Sequence, residues 1–247
     1  MAATTPIDRT ARPAPAGEPR GFLSILDADP DLADGIPAAD HPLARRALAR
    51  PVHPVGEDGV DAAALLSGEG AFGLLVVEGA VVRELDLAGR VCTELLGPGD
   101  VLGGVPEDAL LPVPVAWKAL QPAGAIVLDA RFTSAAQRWP ALAVNLHRRL
   151  LEQAHRSAVH AAIAQLPRVE RRVLALMWQL SERWGRVTPF GVEVDLPLTH
   201  EAVGRLVGAQ RPTVSLALAD LAREGALTRT VRRTWLLAAD SHGLVRP

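Results

Sequence analysis

Residues 198–224 read LTHEAVGRLVGAQRPTVSLALADLARE, and the order of residue types in this stretch decides how the C-terminal third of the chain folds. Thr199 is a good N-cap for a helix running through Val207, because its hydroxyl can take one of the backbone N–H groups that a first helical turn leaves unpaired. Ala202, Val203 and Leu206 fall on one face of that helix. Gly208 stands where a left-handed residue is wanted to end it. Four residues later Pro212 can open a second helix without giving up a needed donor. Val214, Leu218 and Leu221 then form the inner face. Two short helices joined by a glycine-containing turn are the plan of a helix-turn-helix.

The side chains at the head of the second helix bear on what such a motif would touch. Gln210 and Arg211 can pair bidentately with adenine and guanine. Thr213 and Ser215 are short hydroxyls suited to phosphate oxygens. Alone, the segment also fits an ordinary pair of helices with Arg and Gln in solvent, so the flanks matter. Before it, residues 186–196 (RVTPFGVEVDL) read as a small hairpin turning at Pro189 to Gly191. After it, residues 226–238 (ALTRTVRRTWLLA) read as a second hairpin with Arg232 and Arg233 at its tip. Strand, helix, turn, helix and basic-tipped hairpin make a winged helix, with Arg229, Arg232 and Arg233 along a DNA backbone. The expected DNA-facing set is Thr199, Gln210, Arg211, Thr213, Ser215, Arg229, Arg232 and Arg233. Trp235, flanked by Leu236 and Leu237, reads as wing core.

Charge agrees with this division. Residues 1–164 carry 14 basic and 20 acidic side chains, a net of −6, whereas residues 165–247 carry 12 and 8, a net of +4. A basic C-terminal third on an acidic body is an electrostatic footprint for nucleic acid. Cys92 is the sole cysteine, which excludes an intrachain disulfide and a cysteine-based zinc site and reads as a small buried hydrophobe in a strand. No apolar run reaches the roughly 18–20 residues of a membrane span. The first 20 residues, rich in Ala, Pro, Arg and Thr, read as a disordered tail without the apolar core of a signal peptide. A cytoplasmic protein with no membrane partner is expected.

Working back from the winged helix (residues 167–247), Pro167 breaks a long helical stretch. Within residues 133–166, residues 133–139 form a short helix, and from Pro140 to Gln165 no glycine or proline intervenes. Leu142, Leu146, Leu150, Ala154, Ala158 and Ala161 fall at spacings of mostly three and four, an apolar stripe narrowing to alanine. Such a stripe predicts a self-pairing seam between two copies of the helix; the alternative is a helix that packs only on its own neighbouring domain. Residues 21–132 change character again. Short helical pieces at 22–26 and 43–49 precede β-rich runs at 72–78, 80–87 and 90–96, divided by Glu78-Gly79 and Ala88-Gly89. Strands at this spacing with glycine turns argue for an antiparallel sandwich or roll. The turn Gly97-Pro98-Gly99-Asp100 and a last strand at 125–128 complete it. The expected fold class is α+β: an N-terminal antiparallel β-roll, a long dimerisation helix and a C-terminal winged helix-turn-helix.

Residues 198–225, the preceding helix at 168–184 and the run Leu95-Leu96-Gly97-Pro98-Gly99-Asp100-Val101-Leu102-Gly103 closely resemble the Crp/Fnr family of transcription regulators. The resemblance covers roughly residues 65–240 and is strongest in the C-terminal third. It implies a cyclic-nucleotide-binding-like jelly roll and a homodimer reading a two-fold-symmetric operator in double-stranded DNA and regulating RNA polymerase. Arg211 matches the family's guanine-reading arginine and Thr213 its phosphate-contacting threonine. The family often has Glu where Pro212 stands and Arg where Leu216 stands, so operator preference should differ. Members that bind cyclic AMP carry a Gly-Glu pair after the Gly-Asp turn and an Arg about ten residues on. Here Gly104 replaces the acid, and no arginine lies between Arg90 and Arg131. Lys118, the chain's one lysine, is displaced from that position. Cyclic AMP is therefore not expected as the effector. A differently shaped ligand, such as a cyclic dinucleotide, could bind the roll or the helix seam; otherwise the protein is constitutively competent. A rival reading keeps the β-roll as a regulatory module whose winged helix contacts protein rather than DNA.

Other chemistries lack their residues. Gly97, Gly99 and Gly103 have the wrong spacing for a dinucleotide loop. The chain has no phosphate-loop lysine and no Gly-x-Ser-x-Gly elbow, and His147, His155, His160 and His200 never fall at the spacing of a helical metal pair. No catalytic constellation is expected, so the chain reads as a regulator rather than an enzyme.

Overall fold

The structure is a computed structural model that describes residues 18–103, 110–111, 113–230 and 234–244. The chain divides into two compact units, Met1–Gln153 and Ala154–Pro247, with the boundary inside the longest helix.

The first unit runs β1 (Phe22–Ser24), α1 (Ile25–Ala28), α2 (His41–Ala47), β2 (Ala49–Pro51), β3 (His53–Val55), α3 (Ala62–Leu66), β4 (Gly73–Leu87), β5 (Arg90–Leu96), β6 (Val101–Gly103), β7 (Val115–Leu128), α4 (Ala130–Arg138) and α5 (Ala141–Ala164). Residues 22–24, expected to be helical, instead pair with β2, and Ser24 turns the chain by accepting the Leu26 N–H at 3.3 Å. The main sheet is antiparallel in the order β3-β7-β4-β5, with β6 also on β4.

The sequence suggested two strands split at Glu78-Gly79; β4 passes through that point unbroken. Gly79 adopts φ +78°, and the register against β7 slips around it. A Cβ there would stand 2.2 Å from the Pro122 carbonyl oxygen, so the glycine permits a bulge in a continuous strand. Ala88 and Gly89 do form the expected tight turn, both with positive φ, and the Asp86 carboxylate accepts the Gly89 N–H at 2.9 Å. In the Gly97–Asp100 turn, the fully buried Asp100 accepts the Gly97 N–H at 2.9 Å. Cys92 lies on β5 as expected but is exposed, not buried.

Strand alternation gives the sheet two apolar faces. Leu74, Val76, Val81, Leu96, Leu102 and Trp117 form one core, with α3 against it. Leu75, Val77, Ile126 and Leu128 form the other, beneath Ile25, Leu26, Phe132, Trp139, Leu142 and Leu146. Leu142 (0% exposed) and Leu146 (6%) are therefore core residues of their own domain and cannot begin a seam between chains. The same helical stripe continues with polar anchors. Asn145 Nδ2 donates to the carbonyls of Leu32 and Asp34, and Gln153 exchanges two hydrogen bonds with the Val101 backbone.

Arg149 is the strongest of these anchors. Its guanidinium donates to both Asp29 carboxylate oxygens, at 2.9 and 2.8 Å, and also reaches Asp31 and Glu152. The hydrogen bonds to Asp29 raise its pKa above the ordinary arginine value against the opposing pull of burial. Asp29 is buried, so removing its partner leaves a carboxylate in a poorly solvated site. Arg149→Ala should lower the stability of this unit by about 3 kcal/mol in urea unfolding. Exposed Arg148→Ala should change it by less than about 0.5 kcal/mol. Equal effects would mean that the ion pair does not anchor the helix.

The second unit continues from α5 with α6 (Val169–Trp184), β8 (Gly185–Thr188), β9 (Gly191–Val194), α7 (His200–Val207), α8 (Arg211–Arg223), β10 (Leu227–Arg229) and β11 (Trp235–Leu237). Val173, Leu174, Leu176, Met177 and Leu180 bury the inner face of α6 as their period suggests. Gly185 lets the chain pass straight from helix to strand, because a Cβ there would lie 2.2 Å from the Ser181 carbonyl oxygen. The four strands form one antiparallel sheet in the order β10-β11-β9-β8. Among the described residues no helix is long and apolar enough to cross a membrane, and no group of three or more His, Cys, Asp or Glu could hold a metal ion.

Candidate nucleic-acid interface

Helix α7 begins as its sequence dictates, with the Thr199 hydroxyl accepting the Ala202 N–H at 3.1 Å. It ends at Gly208, which is left-handed at φ 64°, ψ 38°. Gly204, one turn earlier, matters as much. A Cβ there would lie 2.6 Å from the Ala209 carbonyl oxygen, so the turn can fold back tightly only over a glycine. Arg172, from α6, donates to the carbonyls of Leu166 and Val207 and so satisfies an acceptor that the end of α7 leaves open.

Gln210 is the N-cap residue of α8, and Pro212 sits in its first turn. Val214, Ala217, Leu218 and Leu221 are buried, which turns the start of the helix outward. Gln210, Arg211 and Thr213 are exposed there. Nothing among the described residues pairs with the Arg211 guanidinium. Ser215 differs from them: its hydroxyl donates to the Arg211 carbonyl at 3.0 Å and lies 2.9 Å from His200 Nδ1. His200 also lies beside Trp235, with ring centroids 6.5 Å apart. This histidine thus ties the start of α7 to α8 and to the wing, a role that a lone histidine in sequence does not announce.

The wing is built on Trp235, which is 2% exposed, as its apolar neighbours suggest. Arg229, opposite it across the strands, is exposed and lays its guanidinium 5.2 Å from the indole ring centre. Thr234 donates to Glu193 and contacts Thr230, joining the wing to β9. Arg232 and Arg233 lie outside the described residues.

In the β-roll, Gly104 lies outside the described residues. Lys118 is on β7, as its sequence context suggests, with Nζ 3.3 Å from the buried Glu84 carboxylate. Arg83 on β4 pairs with Glu94 directly across on β5 and approaches the Trp117 ring at 5.9 Å. Inspection of the segment after the Gly-Asp turn overlooks this arginine, because it comes from an earlier strand.

On α5, Leu150, Ala154, Ala158 and Ala161 are exposed, whereas Leu142 and Leu146 face their own core. The exposed stripe begins instead at Val144 (59% exposed) and passes through His147 and Leu151 (58%) before reaching the alanines. Val144, His147, Leu151, Ala154, Ala158 and Ala161 fall at spacings of three and four, the heptad pattern of a paired helix.

Residues 171–246 match the Crp-like helix-turn-helix domain. Several solved structures share the fold. A CooA variant from Carboxydothermus hydrogenoformans is 22% identical, with a TM-score of 0.57 over 72% of this chain and 79% of that one. FixK2 from Bradyrhizobium japonicum is also 22% identical, with a TM-score of 0.57 over 73% and 91%. A CRP-family transcriptional regulator from Thermus thermophilus is 27% identical, with a TM-score of 0.53 over 72% and 87%. No curated protein sequence matches significantly. With the two helices, the wing and the antiparallel roll in place, residues 171–246 carry a Crp-like helix-turn-helix domain, and the chain shares its fold with solved regulators of the Crp/Fnr type.

Proposed function

We propose that the chain acts in the cytoplasm as a homodimer that reads a two-fold-symmetric operator through α8 and regulates RNA polymerase. The observation that carries this reading is the exposed Arg211 guanidinium, unpaired among the described residues, beside Gln210 and Thr213 at the head of α8. A helix placed this way can lower its first turn into a major groove. The backbone amides there, and the positive end of the helix dipole, favour phosphate oxygens alongside. The exposed α5 stripe supports pairing of two protomers, which would set two copies of α8 on successive turns of one DNA face.

Titration of the purified protein into genomic DNA fragments at a series of salt concentrations tests the interface. Affinity should fall steeply with salt, because each neutralised phosphate releases condensed counterions. Weak binding that is insensitive to salt would contradict it. Arg232→Ala and Arg233→Ala should each weaken all sequences alike and make the slope shallower by about one unit per lost contact. A changed sequence preference would instead mean that the wing reads bases.

The roll is a sensor without the ordinary cyclic-AMP site. The sequence offers Gly104 for the acid and no arginine in the following segment, and both Lys118 and Arg83 are engaged by carboxylates. A cyclic phosphate there would lack its counter-charge, and burying an unpaired charge is strongly unfavourable. Calorimetry should detect no cyclic-AMP binding, and low-micromolar affinity would overturn this part of the reading. A cyclic dinucleotide is the first alternative effector to titrate; without any effector, operator binding should proceed unaided.

A further inference from the structure

Leu216 is 69% exposed in the middle of α8, a position that folding does not explain. It lies on the side of the helix away from Val214, Leu218 and Leu221. Pro212, four residues before it, and Ala219, three residues after it, are exposed as well. Residues at these spacings share one helix face, so the outward side of α8 carries an apolar ridge. Arg211 and Thr213 stand at the head of the same helix, and nothing among the described residues covers Leu216.

A ridge that begins at Pro212, next to Arg211 in the first turn, would enter the groove with it. The major groove is a field of donors and acceptors with one apolar group, the 5-methyl of thymine. A leucine cannot satisfy a donor or an acceptor, and its presence over a guanine or cytosine edge would leave that edge unpaired. Resting on the DNA-binding reading above, we propose that Leu216 reads thymine methyl groups, so that each half-site carries an A·T pair beside the base read by Arg211. Five residues of helix advance roughly 7.5 Å, which places that pair within about two base pairs of the Arg211 contact at about 3.4 Å per step.

The test uses duplexes carrying the selected operator, with each thymine replaced in turn by deoxyuridine. This removes the methyl and keeps every hydrogen-bonding group. One or two positions per half-site should weaken wild-type binding about fourfold, the value of one buried methyl. Leu216→Ala, on an exposed helical site where alanine is well tolerated, should bind the thymine and uracil duplexes equally. Wild-type protein that binds the operator but ignores every methyl would overturn the thymine reading and leave DNA binding intact. A methyl preference that survives in Leu216→Ala would overturn it too, as would a variant with unchanged operator affinity, the result expected of a ridge that serves a protein contact. Failure to bind any duplex would remove the DNA reading and this proposal together.

Discussion

Arg211→Ala should cost about 1–3 kcal/mol per half-site against the preferred operator. A dimer reads two half-sites about one helical turn apart, so the loss for the whole operator is about 2–6 kcal/mol. The reason is geometric. Arg211 opens α8, where a side chain can reach a base edge before the helix axis leaves the groove, and Pro212 fixes the start of that helix. No internal partner has to be given up, because the guanidinium is unpaired among the described residues. With leucine at position 216, few polar groups remain nearby to tell guanine from adenine. Binding to scrambled DNA should fall much less, since the phosphate contacts persist. Paired titrations of wild type and variant on selected and scrambled duplexes, at one salt concentration, separate the cases. Equal losses on both would make Arg211 a phosphate contact, and no loss on either would place α8 outside the groove.

Separating the protomers should have an effect of comparable size. Leu151→Glu together with Ala158→Glu places carboxylates on the exposed α5 stripe, facing their counterparts in a parallel pair. The variant should be monomeric by light scattering. Its operator affinity should fall on the order of 10²–10⁴-fold, because the second half-site no longer binds as an intramolecular event. Both side chains are exposed in the protomer, so the fold should survive. Leu146→Glu is the informative contrast, since it charges the core shared by Leu142, Phe132 and Trp139 and should unfold the first unit rather than dissociate it. An unchanged dimer mass for the double variant would move the dimer contact away from this helix.

The winged helix was legible in the sequence because its signals are local. Thr199 as a cap, Gly208 as a left-handed stop and Pro212 as a helix opener each act within a few residues, and all three do so in the structure. The β-roll was legible as a class but not in its register. Glycine serves a turn and a bulge equally well, and only the Pro122-Ala123 backbone opposite Gly79 decides between them. Leu142 and Leu146, the start of the expected seam, were misread for a related reason. Helix α5 carries two apolar stripes, and its sequence does not say which one the chain's own sheet will cover. Arg149 decides it by pairing with Asp29, 120 positions away. His200 and Arg172 likewise act through partners on other elements. Thr199, Gln210, Arg211, Thr213 and Arg229 were read from residue type and position, whereas the shared exposure of Arg211 and Leu216 on one helix emerged only from the fold.

Two copies of α8 reading one symmetric site should leave a clear signature in a selection from a random duplex library with the purified full-length protein. The expected product is an enriched two-fold-symmetric motif, its half-sites centred about 10 base pairs apart, each with a guanine and a neighbouring thymine. Enrichment of no motif, or of one without two-fold symmetry, would contradict the dimeric reading.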